Sequence, residues 1–374
     1  MLPALALALA LAATPAAAEG GAAAPPDGLA PLRILEARQP LLDAAREEAG
    51  RGPAPRPEPA YHRYGEVLAA LAVPAAARPG RVRPFVVGHT LEKRPIWGFV
   101  LRDPARPLAT RMLVFANLHA VEWIGTEAAL AFALDFAAHP TPGVEVVLIP
   151  VVNVDGRLAV EADLAAGRTV FRRGNRDKVD LNRDFAVHHE ATSFWRHLFP
   201  GFHRASATPL SQPETRALDR LAARAGFDLA VSLHAFGGFV YAPWSGAWDR
   251  PPDWPRLHAL GTALSAGQGR RAYKVMQLAR WGFFFRAQGS EIDHLYGRYG
   301  TPAYLVECTR SGIEPLRPST WTDPFRRYNP RDPAPHVREV ARLLRAGAVA
   351  LAQGGPARVA PPRPAADGPP PDRE

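Results

Sequence analysis

Short apolar runs alternate with helical patterns between residues 84 and 310. The most continuous run is 144–152, which is interrupted only by Glu145 and Pro150. Runs of this kind are typical of central strands that are covered on both faces of a sheet. The strands predicted from such runs are 83–88, 95–101, 113–118, 144–152, 228–233 and 303–307.

Apolar residues spaced three or four positions apart predict helices around these strands. Ser211-Gln-Pro-Glu214 has the form of a helix start, with Pro at an early position and Glu in the first turn. The predicted helices are 32–48, 61–71, 122–138, 211–225, 257–267, a short one within 289–300, and 335–350. A turn is predicted at 153–156 and a Gly/Pro/Trp-rich loop at 235–256. This alternation of strands and helices defines the α/β class with one central sheet.

The two ends of the chain have a different character from the middle. Residues 2–13 are rich in Leu and Ala and precede Ala16-Ala17-Ala18, the pattern of a signal peptide and its cleavage site, although no Lys or Arg comes before the run. The sequence predicts a signal peptide at 1–18, a Pro/Ala-rich linker or short pro-region at 19–58, the main folded domain at 59–352 and a disordered Pro-rich tail at 353–374. We therefore expect an exported protein, periplasmic or secreted.

Composition narrows the function classes. Apolar residues make up 47% of the chain, which argues against general disorder. The formal charge is +9, but acidic residues are interspersed with the arginines, so a nucleic-acid-binding arm is not indicated. No later run is long and apolar enough to span a membrane. The single Cys308 excludes a framework of internal disulfides, and we expect it to be buried.

Two His-x-x-Glu motifs occur in the chain, and their contexts differ. His119 and Glu122 follow the end of a predicted strand, which is where α/β sheets place ligand sites. His336 and Glu339 lie within a C-terminal helical pattern, and we interpret them as a solvated helix face. Two His and one Glu form one of the ligand sets of catalytic zinc. His234, after strand 228–233, is the candidate third ligand; a core histidine with satisfied hydrogen bonds is the alternative.

Glu307 closes the apolar strand 303–307. A carboxylate there is costly to bury unless it has a role or a partner. A metal lowers the pKa of water, and a base near the reacting carbonyl still helps the reaction. Glu307 is the candidate base, and a structural salt bridge is the alternative.

Further motifs follow the His119-Ala-Val-Glu-Trp-Ile124 motif in a fixed order. They are Asn153-x-Asp-Gly156, Arg173-Gly-Asn175, Asp180-Leu-Asn-Arg-Asp-Phe185, Ser211-Gln-Pro-Glu-Thr215, His234, Gly289-Ser290, Asp293, Tyr296 and Glu307. Over roughly residues 61–312 this series resembles the zinc carboxypeptidase family typified by pancreatic carboxypeptidase A. The resemblance implies a three-layer α/β/α fold around a mixed, twisted sheet of about eight strands.

The resemblance also implies roles for individual residues. His119, Glu122 and His234 would bind one zinc ion per chain. Glu307 would be the general base and then the proton carrier, and Arg173 would polarise the scissile carbonyl, although its neighbour Arg172 is an alternative. Asn182 and Arg183 would hold the terminal carboxylate of the substrate, which suits the planar fork of an arginine.

Two positions depart from the family pattern. Phe285 stands where the family has a mobile tyrosine, so the ring can cover the substrate but lacks a hydroxyl. Val121 stands where the pancreatic enzymes have an arginine that helps to bind longer peptides. Ile292 aligns with the residue that sets side-chain preference and implies an apolar or neutral pocket, unless a shift by one places Glu291 there.

The sequence thus predicts a zinc metallocarboxypeptidase. A cell-wall amidopeptidase or an N-acyl amino acid amidase is the alternative within the same fold, and a non-catalytic zinc-binding module is the alternative from another class. The expected partner is a peptide or peptidoglycan peptide with a free carboxylate. We expect no nucleic-acid partner, no transmembrane segment and a monomer.

Overall fold

The computed structural model describes residues 30–50, 58, 60–189, 204–282, 285–310 and 319–354. The predicted signal peptide, residues 19–29 and 51–57 of the predicted linker, and residues 355–374 of the predicted tail lie outside the described residues. The described strands are β1 (Val82–His89), β2 (Pro95–Leu101), β3 (Thr110–Ala116), β4 (Val144–Ile149), β5 (Leu229–His234), β6 (Phe239–Ala242), β7 (Lys274–Gln277) and β8 (Ala303–Glu307).

Ten α-helices are described along with these strands. They are α1 (Arg38–Gly50), α2 (Tyr64–Ala77), α3 (Ile124–Ala138), α4 (Val154–Ala165), α5 (Pro213–Ala225), α6 (Trp254–Ala266), α7 (Glu291–Tyr299), α8 (Ser319–Thr322), α9 (Pro324–Tyr328) and α10 (Ala334–Ala352). Short 3-10 turns occur at Leu181–Arg183, Gly269–Arg271 and Leu278–Arg280.

The strands form one mixed sheet in the order β1-β2-β4-β3-β5-β8-β6-β7. The four central strands β4, β3, β5 and β8 run parallel, and antiparallel pairs join them to β2 on one side and to β6 on the other. After β3 the chain moves to one side to form β4, and β5 then lies on the other side of β3. Such a reversal opens a crevice at the carboxyl ends of the two strands, which is where open α/β sheets bind ligands.

Helices cover both faces of this sheet. The α3 crossover leads from β3 to β4, whereas α5 precedes β5 on the opposite side of β3. Because crossovers between parallel strands are right-handed, α3 and α5 lie on opposite faces. Helix α10 packs against both α3 and α6, and α7 packs beside α5 and against β8. The predicted α/β/α architecture with about eight strands is confirmed.

The structure contains several elements that the sequence does not predict, including the short helices α8 and α9. The predicted turn at 153–156 opens helix α4, whose first amides are capped by the Asn153 side chain accepting from Gly156 N at 3.0 Å. Strand β6 lies inside the predicted loop 235–256, and β7 was not predicted. Both strands have four residues and lie at the edge of the sheet, so neither produces a long apolar run.

Residues 30–50 pack against the sheet. Leu41 of α1 is fully buried, and Arg111 of β3 donates from Nη2 to the Ala30 carbonyl at 2.8 Å. The Glu145 carboxylate accepts from both Leu32 N at 3.2 Å and Arg111 Nε at 2.7 Å. The ends of the main domain remain a prediction. Cys308 is free and buried, as expected. None of the described helices is long and apolar enough to cross a bilayer.

Glu214, in the first turn of α5, is a buried carboxylate, and one of its oxygens lacks a hydrogen-bond partner among the residues that the structure describes. Burial raises the pKa of Glu214 from its ordinary 4.5 to about 7; a hydrogen bond from Asn175 opposes the shift and the charge of Asp155 adds to it. Between these two pKa values the native state holds a proton that the unfolded state has released. The contribution of Glu214 to stability therefore falls as pH rises through this window.

Glu214→Gln should remove this pH dependence, because the amide is neutral at every pH. We expect the substitution to raise the free energy of unfolding at pH 8 by about 2–3 kcal/mol more than at pH 5, since each pH unit in the window contributes about 1.4 kcal/mol. Denaturant unfolding of both proteins at the two pH values measures this difference. An equal effect at pH 5 and pH 8 would contradict the raised pKa of Glu214.

Candidate active site

The chain leaves β3 through a turn that directs two side chains to one side. Asn117 adopts a left-handed conformation with φ 58°, which asparagine tolerates better than most residues. Its Nδ2 donates to the carbonyls of His119 at 2.8 Å and Glu122 at 3.1 Å. At Gly125 a Cβ atom would lie 2.9 Å from the Leu233 carbonyl oxygen, so the glycine lets α3 begin against the end of β5. This close packing brings the 119–122 turn beside His234.

His119, Glu122 and His234 converge on one point. His119 Nδ1 lies 2.9 Å from Glu122 Oε1, and His234 Nδ1 lies 3.0 Å from His119 Nδ1 and 3.1 Å from Glu122 Oε2. All three residues are at most 2% exposed, and one ligand atom from each lies within 4.8 Å of the others. No other group of three such side chains meets this criterion among the described residues. The three residues that the sequence predicts as metal ligands are therefore brought together.

The outer nitrogens of both histidines face carboxylates. His119 Nε2 lies 3.0 Å from Asp180 Oδ1, and His234 Nε2 lies 3.1 Å from Glu291 Oε1 and 2.9 Å from Ser232 Oγ. Carboxylate partners of this kind orient metal-binding histidines and fix the tautomer that leaves the inner nitrogen free. Two Nδ1 atoms and one carboxylate are a donor set that fits catalytic zinc.

Electrostatics within the cluster favour a bound positive charge. Burial alone would raise the pKa of Glu122, but the charge and hydrogen bonds of His119 and His234 outweigh it and hold that pKa well below its ordinary value. Burial likewise opposes protonation of His234, yet its hydrogen bonds to Glu122 and Glu291 raise its pKa to about 10. A divalent cation held by the three side chains would neutralise the same carboxylates.

Glu307 lies beside the cluster at the end of β8. It pairs in register with His234 of β5, and its Oε2 is buried without a hydrogen-bond partner in the described part of the chain. Burial and the charge of Glu122 raise the pKa of Glu307 to about 8, against the opposing charges of His234 and Arg173. A cation bound by the three ligands would lower this pKa. The side chain has no salt bridge among the described residues, so the structural alternative has no support there.

The structure separates the two neighbouring arginines. Arg173 donates from Nε to Asp180 Oδ2 at 2.7 Å, and its Nη1 lies 3.6 Å from Glu122 Oε1. Arg172 instead pairs with Asp163, and its side chain is 38% exposed. Arg173 is therefore the arginine that reaches the cluster.

Asn182 and Arg183 lie in the 3-10 turn that follows Asp180. Asn182 Oδ1 accepts from Glu291 N at 3.2 Å, which fixes the side-chain amide. Arg183 is 3% exposed, donates from Nη1 to the Asn182 carbonyl at 2.6 Å, and has an Nε without a hydrogen-bond partner in the described parts of the chain. Within the described residues no carboxylate forms an ion pair with Arg183. Burial lowers the pKa of Arg183 despite the nearby charge of Asp180. A buried cationic fork without an anionic partner is suited to a carboxylate ligand.

The predicted pocket residues are placed differently from one another. Phe285 is half-buried, and its ring centroid lies 5.4 Å from that of Trp281. Ile292 is fully buried in the first turn of α7. Glu291 is also fully buried, and its carboxylate contacts His234, so it supports a residue of the cluster. Val121 is 1% exposed, and its carbonyl accepts from Asn329 Nδ2 at 2.7 Å.

The second His-x-x-Glu motif is not part of any such cluster in the described chain. His336 and Glu339 lie on α10, where Glu339 accepts from Arg271 Nη1 at 3.3 Å. The expectation of a solvated face was wrong for Glu339, which is only 6% exposed. Helix α10 packs onto α6, and Glu339 forms an ion pair with Arg271 of the 3-10 turn that follows α6, which satisfies its charge.

Sequence reasoning missed three residues that contact or face the cluster. In the sequence Asp180 stands out only as part of a motif, although it joins His119 to Arg173. The sequence indicates Glu291 only as an alternative pocket residue. Tyr328, on α9, was not singled out; the charges of Arg173, Glu122 and Glu307 all act on it. The apolar strand ends gave a signal for Glu307 and His234, but no comparable local signal marks Tyr328.

Comparison with known proteins agrees with this arrangement of a three-layer sheet and a His-Glu-His cluster. The family model described as zinc carboxypeptidase matches residues 67–321. The chain belongs to the zinc carboxypeptidase family.

Individual relatives are distant. Carboxypeptidase A4 of Mus musculus is 23% identical over 274 residues, which covers 68% of this chain and 63% of that protein. Carboxypeptidase O of Bos taurus is 21% identical over 264 residues and covers 64% of this chain and 65% of its own length. The chain thus matches slightly less than two thirds of either relative.

Solved structures share the fold. The thrombin activatable fibrinolysis inhibitor has a TM-score of 0.65 at 18% identity, with 83% of this chain and 80% of that chain covered. Carboxypeptidase A from Helicoverpa armigera has a TM-score of 0.62 at 19% identity, with 84% and 80% covered.

Proposed function

We propose that this chain is a zinc-dependent carboxypeptidase that hydrolyses the C-terminal peptide bond of peptides. The observation that carries the proposal is the convergence of His119, Glu122 and His234 beside Glu307, whose Oε2 has no partner among the described residues. Family membership supports the same chemistry. The exopeptidase character rests on Arg183, a buried fork without a carboxylate partner in the described chain.

Zinc held by these ligands would act as a Lewis acid, lowering the pKa of water and polarising the scissile carbonyl. Glu307 takes the proton from the attacking water and delivers it to the leaving amine, so that one carboxylate serves first as base and then as acid. Arg173 stabilises the negative charge that develops on the carbonyl oxygen. Asp180 positions Arg173 through the 2.7 Å hydrogen bond to its Nε.

Substrate selection follows from the second arginine. The Arg183 guanidinium would bind the terminal carboxylate through two parallel hydrogen bonds, and the Asn182 amide beside it would add a donor. A peptide that ends in a carboxamide lacks the negative charge and would bind poorly. Arg183 would bind a peptidoglycan peptide with a free carboxylate in the same way, so the test includes both substrate classes.

The test is a cleavage assay of the full chain loaded with one equivalent of zinc. The substrates are a peptide library varied at the last residue, the same peptides as C-terminal amides, and purified peptidoglycan peptides. Release of single C-terminal amino acids from the free acids, lost on chelation and restored by zinc, is expected. Cleavage of the peptidoglycan peptides alone would move the assignment to a cell-wall amidopeptidase. Zinc binding without any cleavage would leave a non-catalytic binding module.

Arg183→Met is expected to lower kcat/KM for free-acid peptides by roughly 10–100-fold, since hydrogen bonds to charged groups contribute about 1.5–3 kcal/mol. The substitution keeps an apolar stem of similar length and removes the fork. Steady-state kinetics should show the loss mainly as a higher KM, with little change on amidated peptides. Arg172→Met is the matched control, because Arg172 pairs with Asp163 away from the cluster. An equal loss in both variants would argue against carboxylate binding by Arg183.

A further inference from the structure

Helix α9 is fastened to the turn that carries two of the proposed metal ligands. Asn329, directly after the helix, is fully buried. Its Oδ1 accepts from Trp123 N at 2.8 Å and Ile124 N at 3.0 Å, and its Nδ2 donates to the Val121 carbonyl at 2.7 Å. These three bonds fix the end of α9 against residues 121–124. The preceding residue, Tyr328, is therefore held at a fixed place beside the site.

The Tyr328 ring is packed between two aromatic residues that belong to site loops. It stacks on Phe171 with a centroid distance of 5.9 Å and meets Phe236 edge-on at 5.3 Å. Phe171 is two residues before Arg173, and Phe236 is two residues after His234. Tyr328 as a whole is 7% exposed, so its ring has little freedom to move.

The ring of Tyr328 is fixed, but its hydroxyl makes no hydrogen bond to any described residue. The hydroxyl oxygen is nevertheless in contact with solvent. Most other phenols in the described chain donate to protein oxygens at 2.5–2.9 Å: Tyr61 to Pro330, Tyr273 to Cys308, Tyr296 to Asp253, Tyr299 to Asp219 and Tyr304 to Leu257. The free donor of Tyr328 is thus open to an outside acceptor.

The Tyr328 phenol is neutral at physiological pH. Burial raises the pKa of Tyr328 to about 12, so the phenol keeps its proton at neutral pH; Arg173 opposes the shift, and Glu122 and Glu307 add to it. The two rings that hold Tyr328 belong to Phe171, two residues before Arg173, and Phe236, two residues after His234. The phenol therefore lies on the side of the site that these two segments form.

We propose that Tyr328 binds the substrate, its hydroxyl donating a hydrogen bond to a carbonyl oxygen on the acyl side of the scissile bond. The inference rests on the proposed peptidase function and deepens it. A neutral donor in a fixed aromatic setting is suited to an uncharged amide carbonyl. The preferred substrates are then peptides or N-acyl amino acids whose acyl part offers that carbonyl, with the terminal carboxylate bound separately by Arg183.

Tyr328→Phe tests the proposal, because it removes the hydroxyl and keeps the ring between Phe171 and Phe236. The assay uses the zinc-loaded full chain and an N-acyl dipeptide substrate, with the free amino acid product as a competitive inhibitor. We expect KM or kcat/KM to worsen roughly 3–10-fold, the usual effect of one neutral hydrogen bond. The inhibition constant of the product should stay unchanged, because the product lacks the acyl carbonyl. Zinc content and thermal midpoint should match the wild type.

Tyr241→Phe is the comparison variant. Tyr241 is also buried and makes no hydrogen bond to a described residue through its hydroxyl, but of the three site charges only Glu307 acts on it. Loss of activity in Tyr241→Phe with unchanged Tyr328→Phe kinetics would overturn the proposal. So would an equal change in substrate and product binding in Tyr328→Phe, which would indicate a general distortion. A wild type that binds zinc but cleaves nothing would sink the proposed function itself, whereas an active wild type with unchanged Tyr328→Phe kinetics would sink this inference alone.

Discussion

Glu307→Gln is expected to lower kcat/KM by about 10²–10⁴-fold, the range that a positioned general base contributes. The amide has the same shape as the carboxylate, but it cannot accept the proton of water. Glu307 has the geometry for this role, since it pairs in register with His234 and its Oε2 has no partner among the described residues. The loss should appear in kcat, with zinc content unchanged, because Glu307 is not one of the three converging ligands.

Glu339→Gln provides the control for that experiment. It makes the same chemical change at the Glu of the other His-x-x-Glu motif, which lies on α10 and pairs with Arg271 of the 3-10 turn Gly269–Arg271. Activity within twofold of wild type is expected there. If Glu307→Gln retained most of the wild-type activity, the base would have to be another group, and the assignment of Glu307 would fail.

The central part of the fold was predictable because its signals are local. Buried parallel strands give continuous apolar runs, so β3, β4, β5 and β8 were found within a few residues of their observed ends. The proposed site residues at the ends of those strands were predictable for the same reason, since His234 and Glu307 each terminate an apolar run. The fold class follows from the alternation alone, whereas the count of eight strands came from the family resemblance.

The supporting residues of the site could not be predicted, because they depend on contacts between distant parts of the chain. Glu291 supports His234 across 57 positions, and Asp180 supports His119 across 61. Neither carboxylate differs from a surface residue in its local sequence. Tyr328 reaches the site only because Asn329 ties α9 to residues 121–124, a contact over more than 200 positions. Edge strands β6 and β7 were missed because four residues carry too little periodicity to separate a strand from a loop.

Graded loss of zinc across three substitutions is the second large effect that we expect. His234→Ala removes one of three converging donors and should abolish stoichiometric zinc binding at micromolar metal. Glu291→Gln leaves the donors in place but removes the negative charge that holds His234 Nε2 at 3.1 Å. Outer partners of metal-binding histidines contribute roughly 10–100-fold to affinity, so this variant should bind zinc more weakly by that factor.

His336→Ala completes the series as the matched histidine control. His336 lies on α10, outside the cluster, so the zinc affinity of this variant should equal that of the wild type. Competition with a chelator of known affinity, followed by metal analysis, measures all three variants on one scale. Wild type and His336→Ala should bind zinc equally tightly, Glu291→Gln more weakly and His234→Ala most weakly, because Glu291 contacts a proposed ligand whereas His234 is one. Retention of tight zinc by His234→Ala, or loss of zinc in His336→Ala, would place the metal elsewhere in the chain.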